Sequence, residues 1–170
     1  MKKHHQNLVS FILLINFLFA SQAISNTILI SNKAKIIDGD TIVIDKNKIR
    51  FSGIDAPETN YKGKKQFCYI SAEKVECGKI SKNSLIDKIK NKKIKCLIEK
   101  NKDYFGRYLG ECFIDKESIS SYMVRNGYAF DYPKYSKKKY FKDQTYAKNN
   151  KLGLWNMKFE YPWIWRKNNR

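Results

Sequence analysis

The chain has 170 residues, with 34 Lys+Arg against 16 Asp+Glu and a formal net charge of +18 at pH 7. That length sets a single domain as the expectation, and the charge points to a polyanionic partner, whether nucleic acid, anionic lipid or a cell-wall polymer. The two histidines are His4 and His5 and no Cys-x-x-Cys pair occurs, which excludes the usual zinc-ligand spacings.

The first elements in chain order read as a leader. Lys2, Lys3, His4 and His5 are basic, Leu8 to Ala20 is apolar apart from Ser10 and Asn16, and Ser21-Gln22-Ala23 offers small residues for cleavage after Ala23. This is the layout of a secretory signal peptide over 1-23, leaving 24-170 as one domain. An uncleaved anchor is the alternative, but the apolar stretch is shorter than the roughly 20 residues a span needs. Beyond the leader 32 basic side chains face 16 acidic ones, a net +16. The expected location is outside the cytoplasm, extracellular or periplasmic, without stable membrane association after cleavage.

Lys35-Ile36-Ile37 and Thr41-Ile42-Val43-Ile44-Asp45 flank a turn at Asp38-Gly39-Asp40 and read as two strand segments with a sharp bend. A polar loop at Lys46-Asn47-Lys48 leads into Ile49-Arg50-Phe51-Ser52-Gly53-Ile54, which alternates apolar and polar as a half-buried strand does. Pro57 ends it. Residues near 77 to 90 read as a helix with Ile80, Leu85, Ile86 and Ile89 near one face. Lys93 to Lys100 and Tyr108 to Asp115 are strands around a turn over Asn101 to Arg107. Ser118 to Asn126 is a short helix stopped by Gly127, and Lys137 to Lys151 is a longer one before Gly153. Five strands with about three helices make an α+β domain, and closing the strands into a small barrel removes exposed edges.

An even number of cysteines in an exported chain suggests disulfides. Cys68, Cys77, Cys96 and Cys112 allow three pairings. If the fourth and fifth strands form a hairpin, Cys96 faces Cys112, and Cys68–Cys77 then staples the loop before the first helix.

Three short clusters carry the chemistry: Asp38-Gly39-Asp40-Thr41, then Arg50 to Glu58 with Asp55-Ala56-Pro57-Glu58 at its end, then Asp103-Tyr104-Phe105-Gly106-Arg107. Singly each is ordinary. A DGDT stretch is usually a turn, and an Asp before Ala-Pro usually a loop cap. In this order they resemble the thermonuclease (staphylococcal nuclease-like) family, whose pattern is DGDT, a strand ending R-(x)4-D-x-P-E, and a downstream Y/F-G-R. Gly153-Leu154-Trp155, Pro162-Trp163 and Trp165-Arg166 add a weaker match to exported bacterial members, so the resemblance runs over 33-166.

The resemblance implies an OB-type five-stranded barrel and a nuclease acting on DNA and RNA with Ca2+. Asp40 and Asp55, with the backbone carbonyl of Thr41, match the family's metal ligands. Glu58 matches its proposed general base, and Arg50 and Arg107 its phosphate-binding arginines. Asp38 matches an acid acting through the shell around the metal. Phe105, Tyr132 and Tyr135 are candidates for nucleotide contacts, with Phe105 standing where the family often has tyrosine. Tyr128 and Trp155 read as core. The 5′-oxygen is implied to leave, giving 3′-phosphate ends, from a monomer with no protein partner.

The residue types suit that chemistry. Ca2+ takes oxygen ligands in irregular geometry and polarises a phosphodiester as a Lewis acid. A carboxylate can orient or deprotonate the attacking water, and a guanidinium answers growing charge on phosphate oxygens bidentately. Two other readings compete: a non-catalytic OB-type nucleic-acid-binding module, and a basic envelope protein gripping acidic polymer or lipid.

Overall fold

The computed structural model describes residues 27–170, so the leader expected over residues 1–23 lies outside the described residues. In chain order the strands open with β1 (Thr27–Ser31), β2 (Lys35–Asp38), β3 (Thr41–Ile44), β4 (Asn47–Phe51) and β5 (Ile54–Asp55). A hairpin of β6 (Phe67–Ile70) and β7 (Glu73–Glu76) precedes helix α1 (Cys77–Ile89). Then come β8 (Ile94–Lys102), β9 (Tyr108–Ile114), β10 (Glu117–Ser118), α2 (Ile119–Arg125) and β11 (Phe130–Asp131). Helices α3 (Pro133–Ser136), α4 (Phe141–Asn149) and α5 (Pro162–Asn168) complete the described chain.

The main sheet has the order β1-β8-β9-β4-β3-β2, so β1 and β2 stand at opposite edges. Yet only residues 32–34 join them. Four residue steps reach about 14 Å, whereas six strands laid flat would separate those edges by roughly 24 Å. The sheet therefore has to curl. Its concave side collects Ile42, Ile44, Ile49, Phe51, Ile94 and Ile98, all buried, and α1 and α2 close over it with Leu85, Ile89, Ile119 and Met123. The five expected strands are β2, β3, β4, β8 and β9, and the domain is the α+β barrel that was expected.

Details differ from the sequence reading. The β3–β4 turn is the two-residue Asp45-Lys46, both at positive φ, with Asn47 already paired to Ile44. Such a turn matches the twist of a hairpin. On α1, Leu85 and Ile89 are buried but Ile86 is 38% exposed, because the buried face runs through Cys77, Gly78, Ser81 and Ser84. The helix expected over Lys137 to Lys151 starts late. Residues 133–136 form their own turn of helix, Lys137 and Lys138 take positive φ, and α4 starts only at Phe141. The described residues hold five α-helices rather than three, the extra two being α3 and α5. β1 and the β6–β7 hairpin were not foreseen.

Both expected disulfides are present. Cys96 and Cys112 face each other across β8 and β9, with Cα atoms 4.0 Å apart. Cys68–Cys77 ties β6 to the first residue of α1. All four cysteines are fully buried. The Cys96–Cys112 bridge spans 16 residues, which corresponds to about 3 kcal/mol of unfolded-chain entropy. Replacing both by serine should lower the urea midpoint by that equivalent, read by circular dichroism. An unchanged midpoint under oxidising conditions would show that the bridge adds nothing.

Candidate active site

The site starts from the turn between β2 and β3. Gly39 is required there, since a Cβ would fall 1.8 Å from Ser81 Oγ on α1. The close approach buries Asp40, which is 2% exposed. One carboxylate oxygen of Asp40 accepts from Thr41 Oγ1 at 2.9 Å and from Arg50 at 2.7 Å, and the other from the Ala56 N–H at 2.9 Å. Ile49 and Phe51 point into the core, so alternation along β4 sends Arg50 to the outer face.

After Phe51 the chain bends at Gly53, whose φ is +78°. A side chain there would also press on the Ser136 backbone at 3.0 Å. The bend returns Asp55, fully buried, to Arg50, which donates to it at 2.5 Å. One guanidinium thus spans the carboxylates of Asp40 and Asp55.

A second guanidinium, unforeseen in the sequence, completes the cluster. Arg166 on α5 donates to Asp55 at 2.7 and 3.1 Å and to Glu58 at 2.5 Å. Trp163, three residues earlier on the same helix, stacks flat on Tyr132, with centroids 4.7 Å apart and planes 8° apart. Residues three apart share a helix face, so one face of α5 both docks on an aromatic ring and delivers a cation. The Trp-x-Trp-Arg run carried the signal, as did the excess of clustered acids over Arg50.

Glu58 is fixed from behind. Its N–H donates to Gln66 Oε1 at 3.1 Å and its carbonyl accepts from the Gln66 N–H at 3.1 Å. Gln66, fully buried, donates in turn to the Glu160 carbonyl at 2.7 Å.

Burial pushes the Asp38 carboxyl up to about 8, reinforced by the negative charge of Asp40. Burial also raises Asp55 and Glu58, outweighing the opposing pull of Arg50 and Arg166. Within this cluster only Asp40 is held below the ordinary carboxylate range: burial works against it, but Arg50 and hydrogen bonds from Asp38, Ala56 and Thr41 prevail. Burial lowers and the carboxylates raise both guanidinium pKa values, and the carboxylates win. Four carboxyl groups thus share the cluster with only two guanidiniums. Among the described residues no three acidic, histidine or cysteine side chains form a closed metal cage. Two carboxylate ligands completed by backbone and water oxygens would fit a hard cation.

The other expected residues lie apart from this cluster. Arg107 pairs with Asp103, donating from Nε at 2.9 Å and with Nη2 2.7 Å away, and its guanidinium lies 5.2 Å from the centre of the Phe105 ring. β9 runs parallel to β4 with Leu109 opposite Arg50. Arg107 is two residues ahead of Leu109, so it faces the same side of the sheet about 7 Å along the strand. Phe105 is 73% exposed in that turn. Tyr132 and Tyr135 sit together, in edge contact at 4.8 Å, beside Trp163. Tyr128 packs against the core, and half-buried Trp155 joins an aromatic cluster around Phe130.

The comparisons with known proteins decide the family. Residues 48–157 match the family model described as staphylococcal nuclease homologue. The chain belongs to the staphylococcal nuclease family. With that membership the curled barrel is an OB-fold. The chain is 32% identical over 133 residues to a probable staphylococcal-like nuclease CAN3 of Oryza sativa subsp. japonica, covering 77% of this chain and 31% of that protein. It is 29% identical over 153 residues to staphylococcal-like nuclease CAN1 of Arabidopsis thaliana, covering 88% and 43%. An uncharacterized endonuclease of Haemophilus influenzae is 31% identical over 154 residues, covering 87% of this chain and 76% of that one. The chain thus spans less than half the length of the plant relatives and about three quarters of the bacterial one. Among the described residues no helix is long and apolar enough to cross a membrane.

Helix α1 presses on the Glu58 loop through Gly78, where a Cβ would lie 2.2 Å from the Glu58 carbonyl oxygen. Gly78→Ala should therefore cost about 1–3 kcal/mol, typical of overpacking, seen as a lower urea midpoint. A midpoint equal to that of the parent would mean that the loop moves aside freely.

Proposed function

We propose that the chain is an exported Ca2+-dependent nuclease that hydrolyses phosphodiester bonds of DNA and RNA and leaves 3′-phosphate ends. The observation that supports it most is the meeting of Asp40, Asp55 and Glu58 around Arg50 and Arg166 on one outer face of the barrel. Family membership adds to it. The carboxylate excess and the all-oxygen donor set fit a hard divalent cation. Asp40 and Asp55 would hold it, and Asp38 would act from behind Asp40; the Thr41 carbonyl, turned toward β2 within the sheet, is not offered to it. When bound, the cation supplies Lewis-acid polarisation of the phosphodiester.

The chain's own residues do the rest. Glu58 orients the attacking water and takes its proton; its raised pKa brings it nearer to the range in which a carboxylate works as a base. Arg50 and Arg107, on the same outer side of β4 and β9, answer the charge that grows on the phosphate oxygens. Arg166 positions Asp55 and Glu58 relative to each other. Tyr132, Tyr135 and Phe105 offer ring faces to bases, a contact that carries no sequence preference. The leader expected over residues 1–23 and the buried disulfides fit an oxidising, non-cytoplasmic setting.

Purified protein should degrade single-stranded DNA with Ca2+ and stop when a chelator is added. Arg50→Ala, Glu58→Ala and Arg107→Ala should each lower kcat roughly a hundredfold or more while circular dichroism stays unchanged. Full activity in all three would discard this site. Salt-dependent DNA binding without calcium-dependent cleavage would instead favour the binding-module reading. Arg166→Ala should lower kcat more than it changes KM, and guanidinium ion at a non-denaturing concentration should restore part of the rate. A variant that melts early and gains nothing from guanidinium would mark Arg166 as structural only.

A further inference from the structure

Beside the segment that follows the Glu58 loop lies a groove of about 550 Å3, outside the three clusters that carry the candidate chemistry. One wall is the β6–β7 hairpin and the other the segment leading into α5. They are joined where Tyr69 and Lys158 exchange backbone hydrogen bonds, both at 2.9 Å. The hairpin is anchored to α1 by Cys68–Cys77. The groove is built of two chemistries. Lys64, Lys74 and Lys158 line it with no carboxylate in salt-bridge reach among the described residues, while Lys65 is paired with Glu76 at 2.9 Å. Phe67, Tyr69 and Trp165 add ring surface, with Tyr69 42% exposed. Lys74 sits 4.0 Å from the centre of the Phe67 ring, so charge and ring face share one spot. Glu160 is the single acid in the lining, and its carboxylate is engaged by Asn168.

The groove shares elements of structure with the candidate site. Trp165 lines it, and the next residue, Arg166, grips Asp55 and Glu58. Gln66 bridges the Glu58 backbone to Glu160 in the opposite wall. Tyr61, from the loop that follows Glu58, meets the Trp165 ring at 6.1 Å.

We propose that this groove is a subsite for unpaired polynucleotide, holding the nucleotides that flank the scissile phosphate on one side. Free ammoniums spaced along a groove with interleaved rings suit a phosphate chain whose bases are open to stacking. A duplex hides those faces, and an anionic lipid or wall polymer has none to offer. The subsite rests on the nuclease reading for its role but not for its binding.

The test is binding in a chelator, where cleavage is off. Labelled oligothymidylate of about 10 nucleotides, within the span of an OB-fold site, is compared by fluorescence anisotropy with a thymidine dinucleotide. The oligomer should bind more tightly. Lys74→Gln with Lys158→Gln should weaken the oligomer about tenfold, leave the dinucleotide unchanged, and reduce the slope of log K against log salt by about 1.4, or 0.7 per phosphate contact on a single strand. Tyr69→Ala should weaken the oligomer about tenfold as well, with circular dichroism unchanged in every variant. Variants that bind the oligomer as the parent does would overturn the subsite. Duplex or phosphatidylglycerol vesicles competing as well as the oligomer would overturn it too. A chain that shows the expected binding but cleaves nothing with Ca2+ would sink the nuclease reading and leave the groove standing.

Discussion

A carboxylate removed from water has to be answered by positive charge or take up a proton. Beside β4 and β5 this fold removes several at once. Asp40 and Asp55 are almost wholly buried, Asp38 and Glu58 partly so, and two guanidiniums share the task of neutralising them. The arrangement sets four carboxyl groups against two guanidiniums, and burial pushes the carboxyls upward at three of the four positions. A cluster of that kind is poor structural economy unless a further cation belongs there. The rest of the molecule can be understood as the scaffold that tolerates the deficit.

That scaffold draws on distant parts of the chain. The barrel contributes Arg50 by strand alternation, the Gly53 bend brings Asp55 back to it, and α1 packs tightly on both the Asp38–Asp40 turn and the Glu58 loop because Gly39 and Gly78 carry no side chain. The tail contributes Arg166, held in place by the ring stack of Trp163 on Tyr132. Tyr132 is itself pinned to the bend, since its N–H donates to the Gly53 carbonyl at 2.9 Å. The strand bend, the aromatic pair and the second arginine therefore form one mechanical unit.

What the sequence made legible was mostly local. Arg50, Asp55 and Glu58 lie within nine residues, and Asp38 and Asp40 sit in a turn whose chemistry is written in four letters. The barrel strands announced themselves by alternation, and the cross-strand cysteines by the hairpin they imply. Arg166 was harder to see because its partners lie 108 and 111 residues away, and the Trp-x-Trp-Arg run that marks it does not say which carboxylates it meets. β1 escaped notice because Ile28 and Ile30 are about half exposed, so it lacks the buried face that periodicity detects. The β6–β7 hairpin hides its strand character in charged residues such as Lys74 and Glu76. The late start of the helix expected from Lys137 follows from two left-handed residues, Lys137 and Lys138, that lysine gives no warning of.

The Cys96–Cys112 bridge has a consequence for the opposite end of its hairpin. Side chains alternate along a strand, so a slip of one residue between β8 and β9 would exchange inside for outside along the whole ladder. Covalently joined at directly opposed positions, the two strands cannot make that slip. Sulfur chemistry in the dry interior thereby determines on which side of the wall Arg107 emerges, and it does so without touching that arginine.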